Sequence, residues 1–77
     1  MNIKVLGTGC VNCVRLEANV KTAIAELGMD AEVEMVKDVG DIMSYGVMST
    51  PGLVVDEKVK VAGRVPSAEE IKTILRG

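Results

Sequence analysis

The spacing of apolar residues changes several times along this chain, and each change marks an element. Ile3 to Leu6 is a short apolar run that reads as a strand, and Gly7-Thr8-Gly9 breaks it. From Val11 onward the period becomes helical. Cys13, Leu16, Val20, Ile24 and Leu27 recur every three or four residues and form one stripe, and Gly28 stops the helix. Ala31 to Val36 alternates, with Val33 and Met35 on one side and Glu32 and Glu34 on the other, as in a half-buried edge strand. Asp38 caps a short helix carrying Val39, Ile42 and Met43, which Gly46 ends.

Ser49-Thr50-Pro51-Gly52 is a turn, and Leu53-Val54-Val55 is the unbroken apolar run of a central strand. Asp56-Glu57-Lys58 reads as a hairpin loop without the glycine that tight hairpins prefer, so its turn type stays open. Val59 to Ala62 returns as a strand. Ser67-Ala68-Glu69-Glu70 is a capping box that opens a last helix with Ile71, Ile74 and Leu75 facing inward. The order is therefore β-α-β-α-β-β-α. A helix joins the first two strands, which makes them parallel with a right-handed crossover, and a hairpin makes the last two antiparallel. The most apolar strands belong in the middle and the alternating ones at the edges. This predicts an α/β protein with a four-stranded mixed sheet in the order 2-1-3-4 and helices on both faces. The expectation is one domain over residues 1–77, opening on Met1 and running to a helical end as a complete small protein.

Composition narrows the function. The net charge is −2 with no basic run, so the clustered Lys and Arg that bind phosphate backbones are missing and nucleic acid is not the expected partner. Tyr45 is the only aromatic residue, which leaves no platform for stacking bases or sugars. No apolar stretch approaches the roughly 20 residues of a membrane span, and the start leads straight into a strand pattern rather than a secretory leader. A cytoplasmic location without membrane contact is the expectation. The absence of His removes most metal sites, the Cys-His pair and the Ser-His-Asp triad, so no metal ligand is assigned.

Two cysteines remain, in Gly9-Cys10-Val11-Asn12-Cys13, where the first strand turns into the long helix. In a reducing cytosol such a pair is expected to be transient and catalytic rather than a permanent bridge. A helix N-terminus offers free N–H groups and a positive dipole end, and both stabilise a thiolate. Cys10 is thus expected to have a lowered pKa and to be the attacking nucleophile. Cys13 falls on the buried stripe, about one turn on, and suits a resolving cysteine that attacks a mixed disulfide.

Cys10-Val11-Asn12-Cys13 taken with Ser49-Thr50-Pro51 resembles the paired signatures of thioredoxins and glutaredoxins. The stretch from Tyr45 to Val55 looks like the segment that enters the sheet past the cis-proline, and Val59 to Gly63 is similar to the closing strand with its terminal glycine. The resemblance covers nearly the whole chain, and Gly7-Thr8-Gly9-Cys10 is most similar to the small archaeal and bacterial glutaredoxin-like thioredoxins of the redox-active disulfide protein 2 group. It implies a thioredoxin-like fold and a protein-disulfide reductase that needs no cofactor beyond its own redox-active disulfide. In that family the residue before the proline presents its backbone to an extended substrate, and the cis-proline lies against the disulfide. Thr50 and Pro51 would do this here, and with Val11 and Asn12 they are the expected substrate-contact residues. Expected partners are protein disulfides and an electron donor that is either a thioredoxin-reductase-like protein or a small thiol, with the chain itself a monomer.

The chain also departs from the family. Val11-Asn12 is neither Gly-Pro nor Pro-Tyr, no Trp precedes Cys10, no Lys flanks it on the N-terminal side, and no carboxylate matches the buried acid of thioredoxin. Asn12 is either a donor to the thiolate or an exposed helix-start residue. Arg64 is expected to be a solvated surface charge, with an anionic partner as its alternative role, and Met29, Met35, Met43 and Met48 are expected to fill the core. Two other functions use the same motif. A copper-chaperone-like carrier also places C-x-x-C at a strand–helix junction, but it usually has Met where this chain has Thr8, and it ends in a strand. A non-enzymatic redox adaptor module inside a larger system is the other.

Overall fold

The computed structural model describes residues 1–76. Strand β1 (Asn2–Leu6) is followed by helix α1 (Val11–Leu27), strand β2 (Glu32–Val36), helix α2 (Val39–Ser44), strands β3 (Gly52–Val55) and β4 (Lys58–Ala62), and helix α3 (Ala68–Arg76). The sheet order is β2-β1-β3-β4, with β1 parallel to β2, antiparallel to β3, and β3 antiparallel to β4. The sequence order and the mixed sheet are therefore as expected.

The pleat of the two central strands explains why helices cover both faces. Ile3 and Val5 of β1 and Leu53 and Val55 of β3 point to one side, where they meet Leu16, Val20 and Ala23 of α1 and Ile71 and Leu75 of α3. Leu6 and Val54 point to the other side and meet Ile42 of α2 and Val47. The first cluster holds ten buried residues and the second four. In α1 the buried face runs through Cys13, Leu16, Val20 and Ala23, while Ile24 and Leu27 pack beside it half-buried. Helix α1 ends as its glycine predicts: Gly28 has φ of 65°, and its N–H donates to the Ala25 carbonyl. Helix α2 is capped by Asp38, whose carboxylate accepts from the Asp41 amide, and α3 by Ser67, whose hydroxyl oxygen accepts from the Glu70 amide.

Two sequence expectations need correction. Lys58 belongs to β4, so the hairpin loop is only Asp56-Glu57, with φ of 49° and 68°. Two positive φ values are the mark of a type I′ turn, whose twist matches that of the flanking strands. Asp is among the residues that tolerate that region, Glu is not, and neighbouring contacts hold both. Asp56 accepts from the Asn2 amide through Oδ1 at 2.9 Å and donates its own amide to the Asn2 carbonyl at 2.8 Å. Glu57 is held by Lys4 at 2.8 Å. The second correction concerns the methionines. Met29 and Met35 are half-buried against the larger core, but Met43 is 62% and Met48 93% exposed. Helix α2 is a short amphipathic piece in which only Ile42 is buried, so Met43 stays outside, while Met48 lies beyond the helix in the loop before β3.

Lys4 lies in a central strand, where a charge is unexpected. Its ammonium group donates to the Tyr45 hydroxyl at 2.7 Å and pairs with Glu57, and it also sits 5.5 Å from the centre of the Tyr45 ring. The Glu57 hydrogen bond, then the Tyr45 one, holds Lys4 above the ordinary lysine range, and Lys4 in turn lowers Glu57. Arg64 is an exposed surface charge, as expected, and makes a two-pronged pair with Glu70 of α3 that ties the segment after β4 to that helix.

Candidate active site

Strand β1 ends at Leu6, and Gly7-Thr8-Gly9 carries the chain over the rim of the sheet to Cys10, the N-cap of α1. Gly9 makes this sharp change of direction possible, with φ of 94°. Cys10 has extended backbone and does with sulfur what Ser or Asp does at other helix starts. Its Sγ accepts from the Cys13 amide at 3.3 Å. Cys10 is exposed and Cys13 is fully buried.

The two thiols therefore differ in acidity. The Cys10 thiol is lowered, first by the hydrogen bond from the Cys13 thiol, then by the backbone amides of Cys13 and Asn12. The Cys13 thiol is raised, first by burial and then because it donates its proton to Cys10. The pair thus favours one thiolate on the outer sulfur, with the inner sulfur protonated beneath it. A thiolate is the nucleophilic form, so attack from outside falls to Cys10.

Val11 and Asn12 are exposed on the first turn of α1. Thr50 is exposed and Pro51 buried, and the peptide bond between them is cis. The antiparallel pairing of Leu6 with Gly52 lays the start of β3 beside the exit of β1. The Gly63 amide donates to the Pro51 carbonyl at 2.8 Å, which fixes the loop from the β4 side. Thr50 and Thr8 line one cleft of about 290 Å³ together with Val39, Ile42, Met43, Val47 and Met48. The loop before β3 is thereby brought to the strand end that leads to Cys10.

Sequence reasoning missed the second side of this cleft, because exposed Val39, Met43 and Met48 have the same composition as core residues. It also read Gly7 only as a strand breaker. A Cβ on Gly7 would stand 2.2 Å from Cys13 Sγ, and nothing in the local pattern announces that closeness. Among the described residues, no three His, Cys, Asp or Glu side chains gather where they would hold a metal ion. None of the described helices is long and apolar enough to cross a membrane.

Comparison with known proteins agrees with this geometry. A family model described as "Thioredoxin domain" matches residues 1–76. A thioredoxin of Methanothermobacter thermautotrophicus is 51% identical over 75 residues, which covers 97% of each chain. A thioredoxin of Methanocaldococcus jannaschii is 45% identical over 74 residues, covering 96% of this chain and 85% of the relative.

Proposed function

The chain belongs to the thioredoxin domain family, and from that premise we propose that Cys10 is the nucleophile and Cys13 the resolving cysteine of its disulfide exchange. The protein is a thiol–disulfide oxidoreductase with a thioredoxin-like fold, acting on disulfide substrates and drawing electrons from a reductase. The observation that carries the assignment is the asymmetry of the pair: an exposed sulfur at a helix start that accepts the Cys13 amide, followed by a second sulfur that is fully buried.

Exchange then runs in two steps. The Cys10 thiolate attacks one sulfur of a substrate disulfide, the substrate S–S bond breaks, and its far sulfur leaves as a thiolate. Cys13 loses its proton to water and attacks Cys10 Sγ. The Cys10–Cys13 bond forms and the second substrate sulfur is released, so the substrate gains two electrons and the dithiol gives them up. The protein needs no prosthetic group for this. Val11 and Asn12 on one side and Thr50 with Pro51 on the other contact the substrate, and Thr50 offers its exposed backbone to an extended chain. We take residues 1–77 as one working unit, monomeric and cytoplasmic, with protein disulfides as substrates and a thioredoxin-reductase-like protein or a small thiol as donor. Insulin reduction, assayed in parallel with thioredoxin reductase and with glutathione as electron source, tests this. Turnover lost in both Cys10→Ser and Cys13→Ser supports the roles, and turnover retained in Cys10→Ser overturns them.

The copper-carrier alternative finds less support. A carrier that passes its ion by exchange of ligands needs both thiolates in reach of a second protein's ligands, and Cys13 has no exposed surface.

A further inference from the structure

The glycines on either side of Thr8 are there for different reasons. Gly9 needs its freedom of φ, whereas Gly7 lies outside the left-handed region, so its backbone would accept an alanine. What forbids one is space. A Cβ on Gly7 would stand 2.2 Å from Cys13 Sγ and 2.9 Å from Cys13 Cβ, where carbon contacts settle at about 3.5–4.0 Å. Gly7 cannot retreat, because its amide donates to the Val36 carbonyl of β2 at 2.9 Å and its neighbour Leu6 is paired with Val36 on one side and Gly52 on the other. The Cys13 backbone is fixed as well, since its amide is committed to Cys10 Sγ at the start of the helix.

We infer that Gly7 is a positioning residue for the second step of exchange: the side chain it lacks is the notch that seats the Cys13 sulfur beneath Cys10. This rests on the resolving role given to Cys13 above. In that step Cys13 Sγ attacks Cys10 Sγ, the bond from Cys10 to the substrate sulfur breaks, the substrate leaves with the electron pair, and the Cys13 proton goes to water. A methyl group in the notch displaces the sulfur by about 1 Å or more, and misplacement on that scale costs on the order of 10²-fold in rate. Gly7 is buried whereas Cys10 is exposed, so attack by Cys10 on an incoming disulfide does not need the notch.

The test uses one equivalent of Ellman's reagent, with release of thionitrobenzoate followed by stopped flow. Attack by Cys10 releases the first thionitrobenzoate and leaves the second bound to Cys10, and attack by Cys13 releases the second. Gly7→Ala is expected to slow the second release on the order of 10²-fold. The first release, compared between Cys13→Gly and Gly7→Ala/Cys13→Gly, is expected to agree within about twofold. A wild-type protein that shows no second release removes the role of Cys13, and the inference falls with it. A second release in Gly7→Ala as fast as in wild type overturns the notch alone. An equal slowing of the first release in the Cys13→Gly background also overturns it, because the effect then belongs to Cys10. Should Gly7→Ala fail to fold, thermal unfolding of Gly7→Ala/Cys13→Gly decides. Recovery of a cooperative transition supports a clash with Cys13, and no recovery overturns it.

Discussion

The amide of Cys13 points at the sulfur of Cys10 across 3.3 Å, so that the exposed cysteine caps the helix in which the other is buried. Any change in the charge of Cys10 is therefore felt by the end of α1, and any change at Cys13 is felt by Cys10.

The pH dependence of reactivity follows from this. Cys10 is expected to alkylate with a midpoint below the free-thiol value of about 8.5, because the Cys13 thiol and then the amides of Cys13 and Asn12 hold its thiolate. Cys13→Ala removes the largest of these, so the Cys10 midpoint should rise. Iodoacetamide alkylation rates against pH measure both, and an unshifted wild-type profile contradicts the arrangement. The two thiols act oppositely on the stability of the reduced protein. The fold lowers Cys10, so its contribution is present above the unfolded thiol value and is lost as pH falls through the folded one. The fold raises Cys13, so its contribution is full below the unfolded value and is lost as pH rises through the folded one.

Trapping separates the roles. Cys13→Ser should accumulate a mixed disulfide through Cys10 with a peptide disulfide substrate, visible as an intact-mass adduct, because no internal sulfur remains to release it. Cys10→Ser should form no comparable adduct, since its remaining thiol is buried and its acidity is not enhanced. An adduct that forms as readily through Cys13 would reverse the assignment.

Leu53 is fully buried in β3, between β1 and β4, and belongs to the larger core. Leu53→Ala removes packing from the centre of the sheet and is expected to lower stability by about 2–5 kcal/mol, read by chemical denaturation. A loss below about 1 kcal/mol would mean that the sheet closes over the space.

The clasp of Lys4 and Glu57 has its own pH signature. Lys4 lowers Glu57, so the stability it gives is present above the unfolded glutamate value of about 4.3 and is lost as pH falls through the lower folded value. Thermal midpoints of wild type and Glu57→Gln should differ at neutral pH, with the wild type higher, and converge in acid below about pH 4. An equal difference at both pH values would show that charge is not what the clasp contributes.

Period and punctuation carry most of this fold. The stripe from Cys13 to Val20, the alternation of Glu32 to Met35 and the run of Leu53 to Val55 place their elements because each obeys a local rule of spacing. The motif at Cys10 and Cys13 was legible for the same reason, since a strand end and a helix start lie next to it in the sequence. What stayed hidden depends on distance along the chain. Lys4 meets Tyr45 and Glu57 from 41 and 53 positions away. Gly7 meets Cys13 only after the chain has turned. Met43 and Met48 were misread because hydropathy reports what a side chain prefers and not whether a short helix, or the loop that follows it, has room to hide it.

The two apolar clusters, ten buried residues beneath α1 and α3 and four beneath α2, make the sheet a wall between a foundation and a facade. The foundation holds most of the buried apolar side chains. The facade is thin, carries Val39 and Met43 on its outer surface and borders the cleft beside Thr8 and Thr50. Opening of α2 exposes few buried groups, so its amides should exchange with solvent well before those of α1 and β3. Change accumulates at low cost in such a panel. Substitutions there can alter which surfaces the protein engages while the chemistry, anchored on the other side of the wall, stays where it is.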